Sequence, residues 1–262
     1  QIRQLEEALG RPLFTRQGRG LVLTEAGERL REAASSAFDG LRDAWAALRQ
    51  PSSAPFVLGC PASVLARWMI PRLDRLAHDL PGLTLHLSAQ EAPPAPELRG
   101  LDAALLIGTA PWPPGWEVTP LAPERIGPVM SPRYAGTARL AAAPAASLLD
   151  EPLLHTTSRP QAWTDWAQAS GLDAVPRARG QGFEHLYYLL EAALAGLGVA
   201  IAPQPLVADD LAAGRLVAPW GFVTTEAQWV LATPARANGE RAAALARWLA
   251  RELREAPATD TV

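Results

Sequence analysis

The chain has 262 residues, of which 48% are hydrophobic and 19% are charged, a balance typical of globular rather than disordered proteins. Its formal net charge of −3 excludes a basic coat over the whole surface, so any contact with nucleic acid has to be local. No apolar stretch is long enough to cross a bilayer, and the charged opening lacks the pattern of a signal peptide. We therefore expect a cytoplasmic protein, and the opening Gln1 suggests that a preceding segment is missing.

Several kinds of reactive site are excluded by residue type. Cys60 is the only cysteine, and the four histidines lack the spacing of metal ligands. All 24 basic residues are arginine, which excludes a Schiff-base lysine and a phosphate-loop lysine. We expect no cofactor, no metal site and no enzymatic activity. The alternative is a catalytic triad of Ser63, either His155 or His185, and an aspartate. A G-x-S-x-G elbow is absent from the sequence.

The first zone, residues 1–23, predicts the end of a helix followed by a tight hairpin. Apolar residues recur at helical spacing up to Leu9, and Gly10 is a natural C-cap. Two short apolar stretches then flank a Gly-Arg-Gly turn at residues 18–20, which favours a small β-wing. Arginines beside flexible glycines suit phosphate contacts, and a solvated turn is the alternative. The candidate DNA-binding residues are Arg3, Arg16 and Arg19.

The second zone, residues 24–50, predicts one long helix. Thr24 is a good N-cap, and acidic residues in the first turn suit the helix dipole. A stripe of small and apolar residues follows in steps of four and three, which is a heptad seam. We interpret the seam as a dimerisation surface, with packing against the same chain as the alternative. Its members are Leu30, Ala34, Ala37, Leu41, Ala44 and Leu48.

The third zone, residues 55–262, alternates predicted strands and helices, which indicates an α/β fold with parallel sheets covered by helices. Pro71 predicts a kink or break near Ile70 within a helical pattern over 64–77. The Ala- and Pro-rich stretch 137–146 favours a surface loop with short helical pieces. Strands are predicted over 56–60, 83–87, 103–107, 198–202 and 229–232, and helices over 183–195 and 242–253.

The opening of the chain resembles the LysR-type transcription regulators, through LEEALGRPLFTR followed by LTEAG. Weaker matches continue in ARWMIPRLDRL, LRGLDAALLIG and AGLGVAIAPQPLVADDLAAGRLVAPW. The sequence around ARWMIPRL most resembles that of the subgroup that contains the glycine-cleavage and β-lactamase regulators. The family's recognition helix begins before the position of Gln1, so we expect this chain alone not to bind an operator specifically.

The resemblance implies a winged helix-turn-helix, a linker helix that pairs two subunits, and a two-lobed sensing domain similar to periplasmic binding proteins. The expected domains are a helix-turn-helix remnant at 1–23, the linker helix at 24–50 and an effector-binding domain at 55–262. Lobe I should comprise 55–130 and 234–262, and lobe II 131–233. The strands that cross between the lobes are expected over 126–130 and 228–231.

The resemblance places a small-molecule effector between the lobes. Ser63 is expected to act as a helix N-cap at the cleft, although capping alone is the alternative. Glu184 would favour a cationic or hydrogen-bond-donating effector, or it could be an ordinary charge in a helix's first turn. Trp112 and Trp116 could cap the cleft or pack a loop onto the domain. The candidate effector-binding residues are Ala62, Ser63, Gly108, Thr109, Thr156, Thr157, Glu184, His185 and Gln228.

The function that the resemblance implies is a bacterial DNA-binding regulator whose C-terminal domain binds an effector and controls operator binding. Its expected partners are operator DNA in the full-length protein, the effector and further copies of the chain, as a homodimer or homotetramer, with no membrane. We expect the effector to change the angle between the lobes or the packing between subunits. The alternative is a stand-alone solute-binding protein, which would have no use for the wing and the heptad helix.

Overall fold

The computed structural model describes residues 2–17, 20–31, 33–34, 38, 55–90, 98, 100–176, 179–235 and 239–255. The chain divides into two compact units, residues 1–54 and 55–262. Of the six predicted seam residues, Leu30 and Ala34 are described, and Ala37, Leu41, Ala44 and Leu48 lie outside the described residues.

The N-terminal unit contains helix α1 (Ile2–Leu9), a hairpin of strands β1 (Phe14–Gln17) and β2 (Gly20–Leu23), and helix α2 (25–31). Gly10 ends α1 with a φ of +65°, as expected of a glycine C-cap. The predicted wing is confirmed, because β1 and β2 pair antiparallel from Phe14 with Leu23 to Gln17 with Gly20.

Polar contacts join these short elements. The carboxylate of Glu6 on α1 accepts the backbone N–H groups of Leu13 and Phe14, at 2.7 and 3.2 Å. The Thr24 hydroxyl donates to the Pro12 carbonyl at 2.8 Å and accepts the Gly27 N–H at 3.1 Å. The second bond confirms Thr24 as the N-cap of α2.

The C-terminal unit is built on a six-stranded sheet in the order β4-β3-β5-β10-β6-β9. Strand β3 runs parallel to β4 and β5, whereas β10 is antiparallel to β5 and β6, and β9 is antiparallel to β6. The sheet is therefore mixed, not parallel throughout as expected. The strands are β3 (Phe56–Cys60), β4 (Leu85–Ala89), β5 (Ala103–Gly108), β6 (Trp116–Val129), β9 (Ala200–Pro203) and β10 (Val223–Pro234).

Two long strands account for the antiparallel pairs. The first half of β6 pairs with β10 from Trp116 with Pro234 to Pro123 with Gln228, and its last residues pair with β9. The pairing with β10 reaches Ile126, and β9 pairs with Ile126 to Val129, so β10 and β9 flank β6 over successive parts of its length. Residues 126–129 and 228–231 of the expected crossings lie in much longer strands, and Met130 follows β6 as an isolated bridge to Val217.

Helices and a second, two-stranded sheet complete the unit. Strand β7 (Leu153–Thr156) pairs parallel with β8 (Arg179–Phe183), and β7 is joined to the residue before β9 by a 2.9 Å bond from Leu154 N to Val199 O. As predicted, the helix that follows β3 is interrupted near Pro71. The chain stays helical there, but the α-helix gives way to a π-helical turn and then a 3₁₀ turn before α-helix resumes. The helical segments are α3 (Ala62–Val64), a π-helical turn (Leu65–Met69), a 3₁₀ turn (Ile70–Arg72), α4 (Leu73–Asp79), α5 (Thr137–Ala141), a 3₁₀ helix (Ala145–Asp150), α6 (Ala162–Ala169), α7 (Leu186–Leu194), a 3₁₀ turn (Gln204–Leu206), α8 (Ala208–Ala212) and α9 (Glu240–Glu255).

The main core lies between the sheet and the helices α3, α7 and α9, and it contains Trp68 and Trp229, whose rings are tilted by 38° with centroids 6.1 Å apart. A second core surrounds Trp163 and Trp166 on α6. The stretch 137–146 has the short helical pieces predicted, but Leu140 is fully buried in this second core, so the stretch is more than a surface loop. No helix in the described part of the chain is long and apolar enough to span a membrane.

Candidate functional site

The first wall of the candidate site is the start of α3, directly after the carboxyl end of β3. Ala62 is half-buried and Ser63 is 5% exposed. Pro61, not Ser63, is the N-cap, and no side chain caps the helix. The expectation that Ser63 acts as the N-cap is therefore wrong, because the Pro61 carbonyl already accepts the Leu65 N–H at 2.9 Å and the helix begins at Ala62.

A second group of predicted residues lies at the end of β5. Gly108 is the register partner of Gln228 on β10, so these two candidates are neighbours across the sheet, and Thr109 follows as an exposed residue. A Cβ at Gly108 would lie 3.2 Å from the Trp112 ring, which places that ring against the site. Trp116 instead packs with the small core around Leu98, Ala104 and Ala232, as the loop-packing alternative expected.

A third group of predicted residues joins the end of β7 to the start of α7, and we call residues 156–158 and the start of α7 a wall of the candidate site. The Glu184 carbonyl accepts hydrogen bonds from the hydroxyls of Thr156 and Thr157, at 3.0 and 3.1 Å, and from the Ser158 N–H at 3.1 Å. Thr156 is 3% exposed, and its oxygen also contacts the Ser158 hydroxyl at 2.9 Å. Three predicted residues from distant parts of the sequence, Thr156, Thr157 and Glu184, are therefore in contact.

Glu184 and His185 stand just before α7. The Glu184 carboxylate is 80% exposed, and its Oε2 lies 3.9 Å from Nε2 of His185. His185 is the N-cap residue of α7, with φ −123° and ψ 148°. Glu184 therefore precedes the helix and is not a charge within its first turn. Its exposed carboxylate can meet a ligand.

A buried ion pair on the crossing strands was missed by the sequence analysis. Glu124 on β6 is 1% exposed, and it accepts hydrogen bonds from Arg159 Nη2 at 2.6 Å and from the Thr225 hydroxyl on β10 at 3.0 Å. Burial raises the pKa of Asp165, one turn into α6, and Glu124 contributes to that rise while Arg159 opposes it. The available signal was a glutamate between prolines and apolar residues, in LAPERIGPV.

Cys60, at the end of β3, lies next to the first wall. Burial raises the pKa of its thiol to about 12, so the thiol stays protonated at neutral pH. A protonated thiol is a poor nucleophile.

Comparison with known proteins decides the family. A model of the LysR substrate binding domain matches residues 49–254, and a model of the bacterial regulatory helix-turn-helix of the lysR family matches residues 1–28. The chain belongs to the LysR family. The solute-binding alternative is not supported, because the helix-turn-helix match covers the segment that such a protein would not need.

Relatives of this LysR-family chain are transcription regulators. The chain is 59% identical over 254 residues to the HTH-type transcriptional regulator TrpI of Pseudomonas aeruginosa, covering 97% of this chain and 86% of that protein. It is 29% identical to the glycine cleavage system transcriptional activator of Escherichia coli, covering 95% and 82%. The second relative is one of the two subgroup members named from the sequence.

A solved structure supports the sensing-domain fold of this LysR-family chain. The AmpR effector binding domain of Citrobacter freundii superimposes with a TM-score of 0.64 at 25% identity, covering 76% of this chain and 98% of that one. The chain is a LysR-type transcription regulator with a helix-turn-helix segment and a two-lobed, periplasmic-binding-protein-like effector domain.

The predicted DNA-side residues of this regulator lie in the N-terminal unit. The side chain of Arg3 on α1 is 91% exposed and lies 3.4 Å from the Glu7 carboxylate. Arg16 is exposed on the wing strand β1, and Arg19 lies outside the described residues. Of the seam residues, Leu30 and Ala34 are half-buried within this unit.

Proposed function

We propose that this regulator binds its effector between the two lobes, against the wall formed by residues 156–158 and the start of α7. The observation that carries the proposal is the Glu184 carbonyl, whose three hydrogen bonds fix the end of β7 to the start of α7. In this proposal the start of α3 and the neighbouring Gly108 and Gln228 would contact the effector from the other side.

The hydrogen-bonding groups of this wall favour an effector that donates hydrogen bonds to it. A hydroxyl has one proton to donate and two lone pairs to accept with. The hydroxyl protons of Thr156 and Thr157 are both directed at the Glu184 carbonyl, so the exposed Thr157 oxygen is left as an acceptor. The exposed Glu184 carboxylate adds negative charge. We infer that the effector presents an amine or another hydrogen-bond donor to this wall.

A thermal-shift screen tests the proposal, using the whole chain with amino acids, aromatic acids and cell-wall fragments. A compound that binds the native state raises the melting temperature. Each stabilising compound is then titrated against Thr157→Val and Glu184→Gln. Glu184→Gln keeps an acceptor but removes the charge, and a hydrogen bond to a charged group is worth about 1 kcal/mol more than a neutral one, so we expect affinity to fall roughly fivefold for this variant.

The matched control is Thr233→Val on β10. Thr233 also donates its hydroxyl to a carbonyl, that of Glu117, at 3.3 Å, but it lies near the end of β10, away from the pair of Gln228 with Gly108. Compounds that bind both site variants as tightly as the original chain would contradict the proposed wall.

We further propose that the regulator acts as a homodimer or homotetramer in the cytoplasm, without enzymatic activity, and contacts operator DNA through Arg3, Arg16 and Arg19. The heptad seam of the helix that begins after Thr24 would join the subunits. Sedimentation of the whole chain at micromolar concentration checks the assembly, and a monomer would contradict it. Effector binding would then act through a coupling free energy of about 1–3 kcal/mol between lobe angle and subunit packing.

A further inference from the structure

The π-helical turn after α3 contains Arg67, which contacts two other helices. In a regular α-helix, the ring of Pro71 would collide with the carbonyl four residues earlier, which belongs to Arg67. The helix widens instead over Leu65–Met69, where the Ile70 N–H bonds to the Leu65 carbonyl five residues back. π-Helical turns of this kind are rare and are often found at functional sites.

Arg67 makes two ion pairs with residues from separate helices. Its Nη2 lies 2.6 Å from the Glu191 carboxylate on α7, and its Nη1 lies 2.7 Å from the Asp210 carboxylate on α8. The guanidinium also lies over the Tyr187 ring, 5.8 Å from its centroid. Only 11% of the Arg67 side chain is exposed, so solvent screens these contacts less than it screens surface pairs.

Asp210 is held in place independently of Arg67. Its other carboxylate oxygen accepts Arg215 Nε at 2.7 Å, and its carbonyl accepts the N–H groups of Arg215 and Leu216. Removal of Arg67 would therefore not leave Asp210 without a cationic partner. Arg67 adds a connection between elements that are already formed.

The connection joins two helices whose starts both carry candidate effector residues. Ser63 lies four residues before Arg67 in the helix of lobe I, and His185 lies six residues before Glu191 at the start of α7. We propose that Arg67 is a positioning residue for the effector site, which sets the spacing between these two helix starts through Glu191 and Asp210. The inference rests on the proposed effector site, because it assigns these walls to it.

Hydrogen exchange of the whole chain tests the inference without an effector. The amides of Leu65 and Leu189 close the first turns of the two helices, through bonds to the carbonyls of Pro61 and His185 at 2.9 and 3.3 Å. In Glu191→Gln we expect both amides to exchange about threefold faster or more, because the tie between the helices is weakened. Arg67→Met should give the larger change of the two variants, since it removes both ion pairs.

The matched control is Glu151→Gln, which breaks another 2.6 Å arginine pair, that with Arg139. It should leave both amides unchanged, and the Leu80 amide at the end of α4 should be unchanged in every variant. If Glu191→Gln leaves Leu65 unaffected, or accelerates all core amides alike, the positioning role is wrong. Because no effector is used, this result is independent of the Thr157→Val and Glu184→Gln titrations, which decide whether the wall binds a ligand.

Discussion

In the N-terminal unit, Leu13 is the one hydrophobic side chain among the described residues that is buried, whereas the sensing domain fully buries four tryptophans. The N-terminal elements are instead joined by hydrogen bonds between backbone groups and the side chains of Glu6 and Thr24. The difference indicates that the two units respond to different kinds of substitution. The sensing domain depends on packing, and the N-terminal unit depends on a few directional contacts. The four tryptophans are Trp68, Trp166, Trp229 and Trp248.

The largest effect is expected from Trp68→Ala, which tests the packing side of the comparison. Trp68 is fully buried, its ring lies 6.1 Å from that of Trp229, and the Arg72 guanidinium lies 4.9 Å above it. Loss of so large a buried side chain costs about 3–5 kcal/mol. Urea unfolding of the sensing domain, followed by circular dichroism, measures the loss. A change below about 1 kcal/mol would show that the core repacks freely around the vacancy.

Gly27→Ala tests the N-terminal side, where we expect a smaller loss. In an exposed helix this substitution usually stabilises by about 1 kcal/mol. Here a Cβ at Gly27 would lie 2.1 Å from the backbone oxygen of Leu13, so the hairpin would have to move. We expect a cost of about 1–3 kcal/mol, seen as faster exchange of the Thr24 amide, which bonds to that oxygen at 2.9 Å.

Gly82→Ala provides the control for that substitution, because nothing lies within 4 Å of a Cβ at Gly82. It should leave the exchange of the Thr24 amide unchanged. If Gly27→Ala also left it unchanged, the close approach of α2 to the hairpin would not restrain the N-terminal unit.

The periodicity of the sequence predicted the elements in which apolar residues recur at regular spacing. Strands β3 and β5, the wing hairpin and the closing helix α9 follow the expected spacing. Strand β6 was predicted only in part, because Pro120 and Pro123 argue against a strand. The structure accommodates both prolines beside irregularities of the pairing with β10, between Thr224 and Gln228 and between Trp229 and Val230.

The candidate site was predicted in its residue types better than in its contacts. The resemblance named Thr156, Thr157 and Glu184, but only the folded chain brings them together on one carbonyl. Strand β8 was missed because its glycines lack an apolar alternation. Gly182 is needed there, since a Cβ would lie 2.7 Å from His155 Nε2. Contacts of this kind depend on tertiary packing, which local patterns do not record.

The smallest effect is expected from Asp165→Asn, which tests whether the charge of one side chain also affects the stability of the sensing domain. Burial is the main cause that raises the pKa of Asp165 above its ordinary value of 3.8, and Glu124 and Glu226 add to it against Arg159. An acid with a raised pKa binds its proton more tightly in the folded state, so its contribution to stability falls as the pH rises from about 4 through the raised pKa. Asparagine carries no charge, and we therefore expect a slightly more stable sensing domain at pH 7 and a flatter dependence on pH. Urea midpoints of the two proteins should converge towards pH 4 and separate above it, and parallel curves over that range would show that Asp165 is as well solvated in the folded chain as in the unfolded one.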